Sequence, residues 1–213
     1  MKVRSLFIAV ALTFVACQKS EITDKPAAQV SDAATTTTGA PPSGMRANVI
    51  KEKSAINFVG AKVTRDHKGT FKNFDGWIEY DGATPSRIAF DIDLNSVEVD
   101  EPKLTAHLKT ADFFDVAKHP KATFVSTSLT PNAAGGGPTH TLKGNLTMHG
   151  VTKEVTIPVT AQQTAEGVRT TSEFTINRHD WGISYKGMAD DLIKDDVLIR
   201  LDLAFPPPPA AAA

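Results

Sequence analysis

The most constraining feature of this sequence is an alternation of apolar and polar residues with a period of two. In the segment 86–94, one face carries Ile88, Phe90, Ile92 and Leu94, and the other carries Arg87, Asp91 and Asp93. This alternation is typical of a β-strand that has one buried and one solvated face. The same pattern recurs along the chain and predicts strands at 53–63, 70–80, 86–94, 121–129, 139–148, 154–160, 168–176 and 197–205. The sequence therefore predicts a protein built mainly from half-buried strands.

One segment has the spacing of a helix instead. Pro102 stands where a first-turn proline is tolerated, Asp100 could cap the helix, and Leu104 and Leu108 recur at helical spacing before Phe113 and Phe114. About eight antiparallel strands with alternating faces can close into a barrel, which removes exposed sheet edges and leaves room for side chains or one small ligand. We therefore expect an all-β fold, an antiparallel barrel of about eight strands with one short helix.

The first residues have the composition of an export signal. Lys2 and Arg4 precede the apolar stretch 5–15, which is too short to span a bilayer as a helix. Cys17, the one cysteine of the chain, follows Ala16 at once, as in a lipoprotein processing site, although Phe14 stands where leucine is usual. We interpret 1–16 as a lipoprotein signal peptide and Cys17 as the acylated residue that attaches the protein to a membrane. The alternative is an ordinary secretory signal with a free cysteine.

The segments on either side of the strands are of low complexity. Residues 17–46 are rich in Ala, Thr, Ser, Pro and Gly, which favours a disordered, lipid-anchored tether, and 206–213 form a Pro/Ala tail. A single folded domain is expected at 47–205. Gln18 after the cysteine resembles the sorting signal of an outer-membrane lipoprotein, so we expect the bacterial cell envelope, with the protein anchored in the outer membrane and facing the periplasm.

Charge and motif content exclude several functions. The net charge of −1 becomes more negative once Lys2 and Arg4 are removed, so nothing in the chain attracts nucleic acid. The histidines do not form metal-binding pairs and are interpreted as hydrogen-bonded structural residues; they are His107, His119, His149 and His179. We found no nucleophile motif or phosphate-binding loop. The sequence therefore predicts neither an enzyme nor a protein with a metal or a cofactor.

Four motifs together resemble the YceI-like family of bacterial lipid-binding proteins. They are GTF with FDG at 69–76, HLKTADFFDVAKHPKATF at 107–124, LKGNLTMHGVTK at 142–153 and NRHDWGI at 177–183. Their order and spacing fit the family over 47–205. Trp181 departs from the phenylalanine that is common in the family at this position.

The resemblance implies a lipocalin-like barrel whose apolar pore binds polyisoprenoid chains. In this chain it implies a carrier or reservoir for a long isoprenoid lipid, a polyprenol or a quinone-like molecule; whether the protein also forms a homodimer is left open. The residues expected to contact the lipid are Phe58, Phe71, Phe74, Ile88, Phe90, Phe113, Phe114, Phe124, Leu146, Phe174, Ile176 and Trp181.

Two other readings of the same residues stay open. In an arbitrary barrel, these phenylalanines would simply fill the core. The alternative function is accordingly a ligand-free structural or stress-related envelope lipoprotein. Phe113 and Phe114 are adjacent at the end of the predicted helix and cannot both face one way, so we expect one ring to plug the barrel while the other packs outside or lines its mouth.

Overall fold

The computed structural model describes residues 20–35, 45–82, 84–133, 135–188 and 191–208. These residues form fourteen strands, one α-helix and three short 3-10 helices. The strands are β1 (Gln29–Asp32), β2 (Met45–Asn48), β3 (Ala55–Ala61), β4 (Asp66–Phe71), β5 (Phe74–Asp81), β6 (Thr84–Asp93), β7 (Val97–Val99), β8 (Lys121–Pro131), β9 (His140–Met148), β10 (Val151–Thr164), β11 (Gly167–Asn177), β12 (Gly187–Met188), β13 (Asp191–Leu192) and β14 (Asp196–Phe205). The helix α1 spans Pro102–Leu108, and the 3-10 helices span Lys51–Lys53, Leu94–Ser96 and Arg178–Trp181.

Twelve strands belong to one sheet that curls around a single apolar interior. The strand order is β2-β5-β6-β8-β9-β10-β11-β14-β3-β4-β7, with β1 added beside β10 and β12 paired only with β13. Neighbouring strands run antiparallel, which confirms the predicted all-β, lipocalin-like fold with one helix. This curled sheet, a half-barrel, is called the barrel below.

The strand count exceeds the predicted eight because several strands are not periodic in sequence. β4 reads Asp-His-Lys-Gly-Thr-Phe, so charges and a glycine hide its alternation, yet it pairs with β3 over its full length. β1, β2 and β7 have three or four residues each and lie beside longer strands. Their position depends on tertiary pairing rather than on local sequence.

The two ends of the barrel differ. One end, called the upper end below, carries α1, which lies beside β7. The β3–β4 turn and the 3-10 helix Arg178–Trp181 lie nearby. Asp100 does not cap α1 as predicted, because its carboxylate bonds His67 on β4, 2.8 Å away. The lower end carries the β5–β6 and β10–β11 turns. Among the described residues, no helix is long and apolar enough to cross a membrane.

Residues 20–34, called the N-terminal strap below, pack against the outside of the barrel. The sequence predicts a disordered tether over 17–46, whereas the structure places this part of it against β3, β14, β11, β10 and β9. Ile22 packs with Val59, Ala61 and Leu198, all of which face outward from the barrel. The low-complexity composition hides these few apolar anchors, so the order depends on contacts with the barrel surface.

The strap also completes the barrel wall. β10 pairs with β9 along Val151–Val159 but with β11 only along Thr160–Thr164, so the two strands separate toward the upper end. β1 fills this gap: it pairs with β10, and the Ala28 amide donates to the Thr175 carbonyl of β11 at 2.8 Å. Ala28 and Val30 pack against the core. The gap between β10 and β11 would otherwise leave unpaired backbone groups, which are costly when buried.

Candidate ligand-binding site

A deep apolar cavity of about 140 Å³ lies inside the barrel. Its wall is formed by inward residues of the long strands, including Ile78, Ile88, Phe90, Phe124, Leu142, Leu146, Ile157, Phe174, Leu201, Leu203 and Phe205. Several of these side chains, such as Ile88 and Leu201, keep part of their surface accessible although they face inward. The core of the barrel is therefore not completely filled by its own side chains.

A second cavity of about 130 Å³ lies at the upper end, beneath α1. Apolar residues of α1 and of the turns after it, Leu104, Leu108, Phe113 and Phe114, form one side of it, and Phe58, Val197 and Ile199 form another. Both phenylalanines of the pair 113–114 line this cavity. Phe113 is buried, Phe114 keeps part of its surface accessible, and both lie in hydrogen-bonded turns after the helix. The predicted division, with one ring plugging the barrel and the other packing outside or lining its mouth, stays a prediction.

The two cavities meet at a single layer of side chains. Phe71, Met148, Ile176 and Ile199 line both of them. Each cavity is close in size to the apolar cavity of about 150 Å³ that takes up benzene in another protein. A chain much larger than benzene would therefore not fit within either cavity alone.

The inward face of β14 shows how far the two cavities extend. Val197 lines the upper cavity, Ile199 lines both, and Leu201, Leu203 and Phe205 line the deep cavity. Eight residue steps along a strand correspond to about 27 Å. The apolar path therefore runs along most of the length of this strand.

Three inward phenylalanines lie flat on glycines of the neighbouring strands. Phe58 pairs across the sheet with Gly69, and Phe90 pairs with Gly76. A methyl group added at Gly69 or Gly76 would lie 2.2 Å from the facing ring, and one added at Gly144 would lie 2.3 Å from Phe124. A ring that lies against the wall leaves the middle of the barrel open. The glycines thus allow these phenylalanines to line the interior without filling it.

Gly60 has the opposite surroundings. It lines the upper cavity, and no atom outside its immediate chain neighbours lies within 4 Å of the position where a side chain would begin. The space beside Gly60 therefore belongs to the cavity. Glycine in a strand interior often marks a close approach of another group, and this signal in the sequence could have indicated the ring contacts of Gly69, Gly76 and Gly144.

Charged or ionisable side chains stand beside the upper cavity, at Lys62, His67 and Arg178, whereas the polar residues beside the deep cavity are Thr170, Thr171 and Ser172. His67 is 5% exposed; its Nδ1 lies 2.8 Å from an Asp100 carboxylate oxygen, and Arg65 Nε lies 3.2 Å from its Nε2. Burial acts to raise the pKa of Asp100, but the hydrogen bond with His67 and the nearby Arg65 charge hold that pKa below its usual value. Both ring nitrogens of His67 thus have partners within the fold, and both cavities offer almost only apolar surface.

Arg178, which also lines the upper cavity, is a structural residue. It is 4% exposed and donates to the Ile183 carbonyl at 2.8 Å and to an Asp195 carboxylate oxygen at 3.3 Å. Burial lowers the pKa of its guanidinium, and the charge of Asp195 opposes this effect. These bonds connect the 3-10 helix Arg178–Trp181 to the segment that leads into β14.

The structure places ten of the twelve predicted contact residues on a cavity wall. The upper cavity has Phe58, Phe71, Phe113, Phe114 and Ile176, and the deep cavity has Phe71, Ile88, Phe90, Phe124, Leu146, Phe174 and Ile176. Phe74 and Trp181 belong to the buried core but do not line either cavity. Trp181 is fully buried, and its indole N–H donates to the Leu146 carbonyl at 3.1 Å. Contact of the ten residues with a ligand stays a prediction.

The sequence-based list omits most aliphatic wall residues. Ile199, Leu201 and Leu203 belong to a strand whose apolar face is predicted correctly, and Leu104 and Leu108 belong to the predicted helix. None of the five is among the predicted contact residues, although all of them line a cavity. Their periodicity shows only that they are buried. Only the register of the strands and the position of α1 decide that they face the cavities.

These histidines form hydrogen bonds or edge-to-face ring contacts within the fold. His107 lies 2.7 Å from Asp112, His179 lies 2.7 Å from Asp195, and the rings of His119 and His149 are 5.3 Å apart. Among the described residues, no group of three or more His, Cys, Asp or Glu could hold a metal ion.

Comparison with known proteins agrees with this geometry. The model of the YceI-like domain matches residues 48–205. A UPF0312 protein from Pseudomonas putida is 36% identical over 142 residues, which cover 62% of this chain and 71% of the relative.

Two solved structures share the fold. The crystal structure of Burkholderia cenocepacia BcnA superposes with a TM-score of 0.65 at 26% identity, over 73% of this chain and 98% of BcnA. A domain from Saccharophagus degradans, described as polyisoprenoid binding and implicated in plant cell wall breakdown, superposes with a TM-score of 0.63 at 19% identity, over 78% of this chain and 99% of that domain. The match to the family model covers the barrel that holds both cavities, and the chain belongs to the YceI-like family.

Proposed function

We propose that the barrel binds one long, apolar, isoprenoid-type chain, a polyprenol or a quinone-like lipid, as a carrier or reservoir in the bacterial envelope. The observation that carries this proposal is the pair of apolar cavities, which meet at a shared layer of side chains and extend along β14. The solved domain from Saccharophagus degradans, described as polyisoprenoid binding, shares the fold and supports the choice of ligand class.

The cavity chemistry suits a ligand that makes no hydrogen bonds along its chain. Removal of each CH₂ group from water contributes about 0.8 kcal/mol, and the wall of the deep cavity is built almost entirely from aliphatic and aromatic side chains. The head of the lipid would remain at the upper end, where Lys62, His67 and Arg178 stand beside the upper cavity. The tail would pass Phe71 and Met148 and enter the deep cavity.

The length of the path favours a chain longer than an ordinary acyl chain. An acyl chain spans one leaflet, which is half of the hydrocarbon thickness of about 30 Å. The inward face of β14 between Val197 and Phe205 corresponds to about 27 Å. A chain that fills both cavities is therefore nearly twice as long as one leaflet is thick.

The proposed location depends on Cys17, which lies outside the described residues. Its position after an apolar export segment supports acylation and attachment to the outer membrane. More than one acyl chain would hold the protein firmly at the membrane surface. A lipid-binding barrel would then remain next to the bilayer that supplies its ligand.

Extraction of the purified protein with organic solvent tests the proposed ligand class. We expect mass spectrometry of the extract to show a prenyl chain at about one molecule per protein, and native mass spectrometry to show the matching increase in mass. A protein that carries no lipid and takes up no added polyprenol would contradict the proposal. That result would support the ligand-free structural or stress-related envelope protein instead.

A further inference from the structure

The upper end of the barrel carries an exposed apolar pair on two neighbouring hairpins. Val63 of the β3–β4 turn is 70% exposed, and Leu192 of β13 is 48% exposed. The Val63 amide donates to the Leu192 carbonyl at 3.1 Å, and Lys62 and Ile193 bridge the same two hairpins. Large exposed apolar residues that lie together mark an interaction site more often than scattered ones do.

This apolar pair lies beside the upper cavity. Lys62 and Ile193, the sequence neighbours of Val63 and Leu192, both line that cavity. The cavity continues past Gly60 and beneath α1. A surface that contacted Val63 and Leu192 would therefore lie against the end of the barrel where the upper cavity is found.

The N-terminal strap begins at the same place. The Ser20 hydroxyl donates to the Asp66 carboxylate at 2.8 Å, and the Glu21 amide donates to it at 2.8 Å. Asp66 is the first residue of β4 and follows the turn that carries Val63. Glu21 also forms ion pairs with Lys68 and Arg200 on the barrel wall. The beginning of the described chain is thus held at the upper end by several bonds.

The distance from this point to the proposed anchor is short. Cys17 precedes Ser20 by three residues, which span at most about 11 Å when fully extended. A disordered tether of 30 residues would let the barrel turn freely above the membrane, but a strap ordered from Ser20 onward does not. An acyl chain on Cys17 would therefore bring the β3–β4 turn to the membrane surface.

We propose that the upper end is a membrane-docking surface, with Val63 and Leu192 in the headgroup region and the upper cavity facing the bilayer. This inference rests on the proposed acylation of Cys17, and it adds the orientation of the barrel. In this orientation, an isoprenoid chain moves between the bilayer and the barrel without crossing water. Met45, the other large hydrophobic residue that is strongly exposed among the described residues, lies beside the β5–β6 turn at the lower end and stays away from the membrane.

Depth-dependent fluorescence quenching tests the orientation. Cys17 is the only native cysteine and is consumed by acylation, so a single added cysteine accepts an environment-sensitive dye. Val63→Cys, Leu192→Cys and Met45→Cys are prepared as full-length acylated proteins in vesicles of phosphatidylethanolamine and phosphatidylglycerol, with and without brominated lipid. Met45→Cys is the matched control, because Met45 is apolar and 56% exposed.

We expect brominated lipid to quench the dye at positions 63 and 192 but not at position 45. Equal quenching at the three positions, or none at 63 and 192 in protein that floats with the vesicles, would overturn the orientation and leave the anchor intact. Failure of the acylated full-length protein to float would overturn both the anchor and the inference.

Asp66→Ala tests the role of the strap, because it removes the bonds to Ser20 and Glu21. We expect this variant to float normally with reduced quenching at position 63. Unchanged quenching would show that the strap does not orient the barrel.

Discussion

At the scale of single residues, the free space inside the barrel depends on where its phenylalanine rings lie. Phe58, Phe90 and Phe124 each lie over a glycine, so the rings follow the wall and the middle of the barrel stays open. A large aromatic residue that points inward without such a glycine would occupy the space that a ligand needs. The proposed lipid binding would therefore depend on glycines that act only by making room for these rings.

The first prediction concerns Gly76→Ala. The added methyl group would lie 2.2 Å from the Phe90 ring, so the ring must move toward the middle of the barrel. We expect isoprenoid affinity to fall by about tenfold, equivalent to ~1.4 kcal/mol, as measured by titration with a fluorescent prenyl analogue. Gly137→Ala is the control: this residue lies in the exposed β8–β9 turn, away from both cavities, and its methyl group meets open space, so we expect unchanged binding and a stability gain of about 0.4–1 kcal/mol. Equal binding by both variants would refute the role of the glycine.

The second prediction concerns the layer where the cavities meet. Ile199→Trp puts a larger side chain at the junction of the two cavities. We expect the variant to lose binding of long prenyl chains while a short one, which needs the upper cavity only, still binds. Calorimetry with a two-unit and an eight-unit prenol compares the two. Loss of both ligands in a folded variant, or of neither, would contradict a continuous path.

The third prediction concerns Phe90→Ala, which removes a ring from the deep cavity. Truncation of a buried phenylalanine costs about 3–5 kcal/mol of stability, so the unfolding midpoint must be measured before binding. In protein that remains folded, we expect a broader choice of chain length, because the deep cavity is larger. Phe124→Ala serves as the second inward position. Unchanged affinity and chain-length preference in both variants would place the ligand elsewhere.

Residue by residue, the sequence predicts burial better than it predicts contact with a cavity. The alternation of Ile88, Phe90 and Ile92 correctly predicts their inward direction. It does not show that Phe90 lies flat on Gly76, because that depends on the register between β5 and β6. Phe74 also faces inward and is buried, yet it packs in the core away from both cavities.

At the scale of elements, the N-terminal strap differs most from expectation. Its composition predicts disorder, and the family model begins at residue 48, after the strap. Its order comes from a vacant position in the sheet, since β10 and β11 separate and β1 pairs between them. A pattern within the strap cannot reveal a gap formed by two strands more than a hundred residues away.

The fourth prediction is a pH dependence of the strap. Hydrogen bonds from Lys68 and Arg200 hold the pKa of Glu21 below its usual value, and those from Lys25 and Arg200 do the same for Glu173. A carboxylate with a lowered folded pKa stabilises the strap above the ordinary glutamate pKa of about 4.3, and this stabilisation is lost as the pH falls through the lowered pKa. We expect the protection factors of the amides in residues 20–34, calculated relative to the intrinsic exchange rate at each pH, to decrease as the pH falls below about 4.

Amides of β8 and β9 are the internal control for this experiment, because they lie in the part of the sheet away from these ion pairs. Glu21→Gln removes one carboxylate and should weaken protection of the strap already at neutral pH. If the strap stays as protected at pH 3 as at pH 7 while β8 and β9 remain folded, these ion pairs do not hold it.

At the scale of the whole molecule, an ordered strap follows the proposed membrane anchor in the sequence and packs on a barrel whose two cavities meet at one layer of side chains. The period-two pattern predicts the fold class, because a sheet with one buried face requires it. The pattern does not predict the length of the apolar cavities or the position of the strap beside the upper one, because both depend on how the strands are arranged in space. Cys17 itself lies outside the described residues, so its role stays a prediction.

The fifth prediction tests the anchor. Cys17→Ser removes the acylated residue, and we expect a signal-processed variant to move from the membrane fraction to the soluble periplasmic fraction. Val63 and Leu192 alone are too few to retain it, because each apolar side chain contributes only about 1.5–3 kcal/mol on full burial. Fractionation with immunoblotting measures the distribution. Complete membrane retention of the processed variant would show that another feature attaches the protein.

Photo-crosslinking with a long prenol that carries a diazirine at the end of its tail tests the central claim most directly. The tail end should reach the deep cavity, so peptide mapping should find the adducts on residues such as Phe90, Leu142 and Leu203. A diazirine at the head should instead label the upper cavity near Leu104 and Phe113. Labels from both probes on outward-facing residues, or the same labels for tail and head, would contradict a single chain threaded through the barrel.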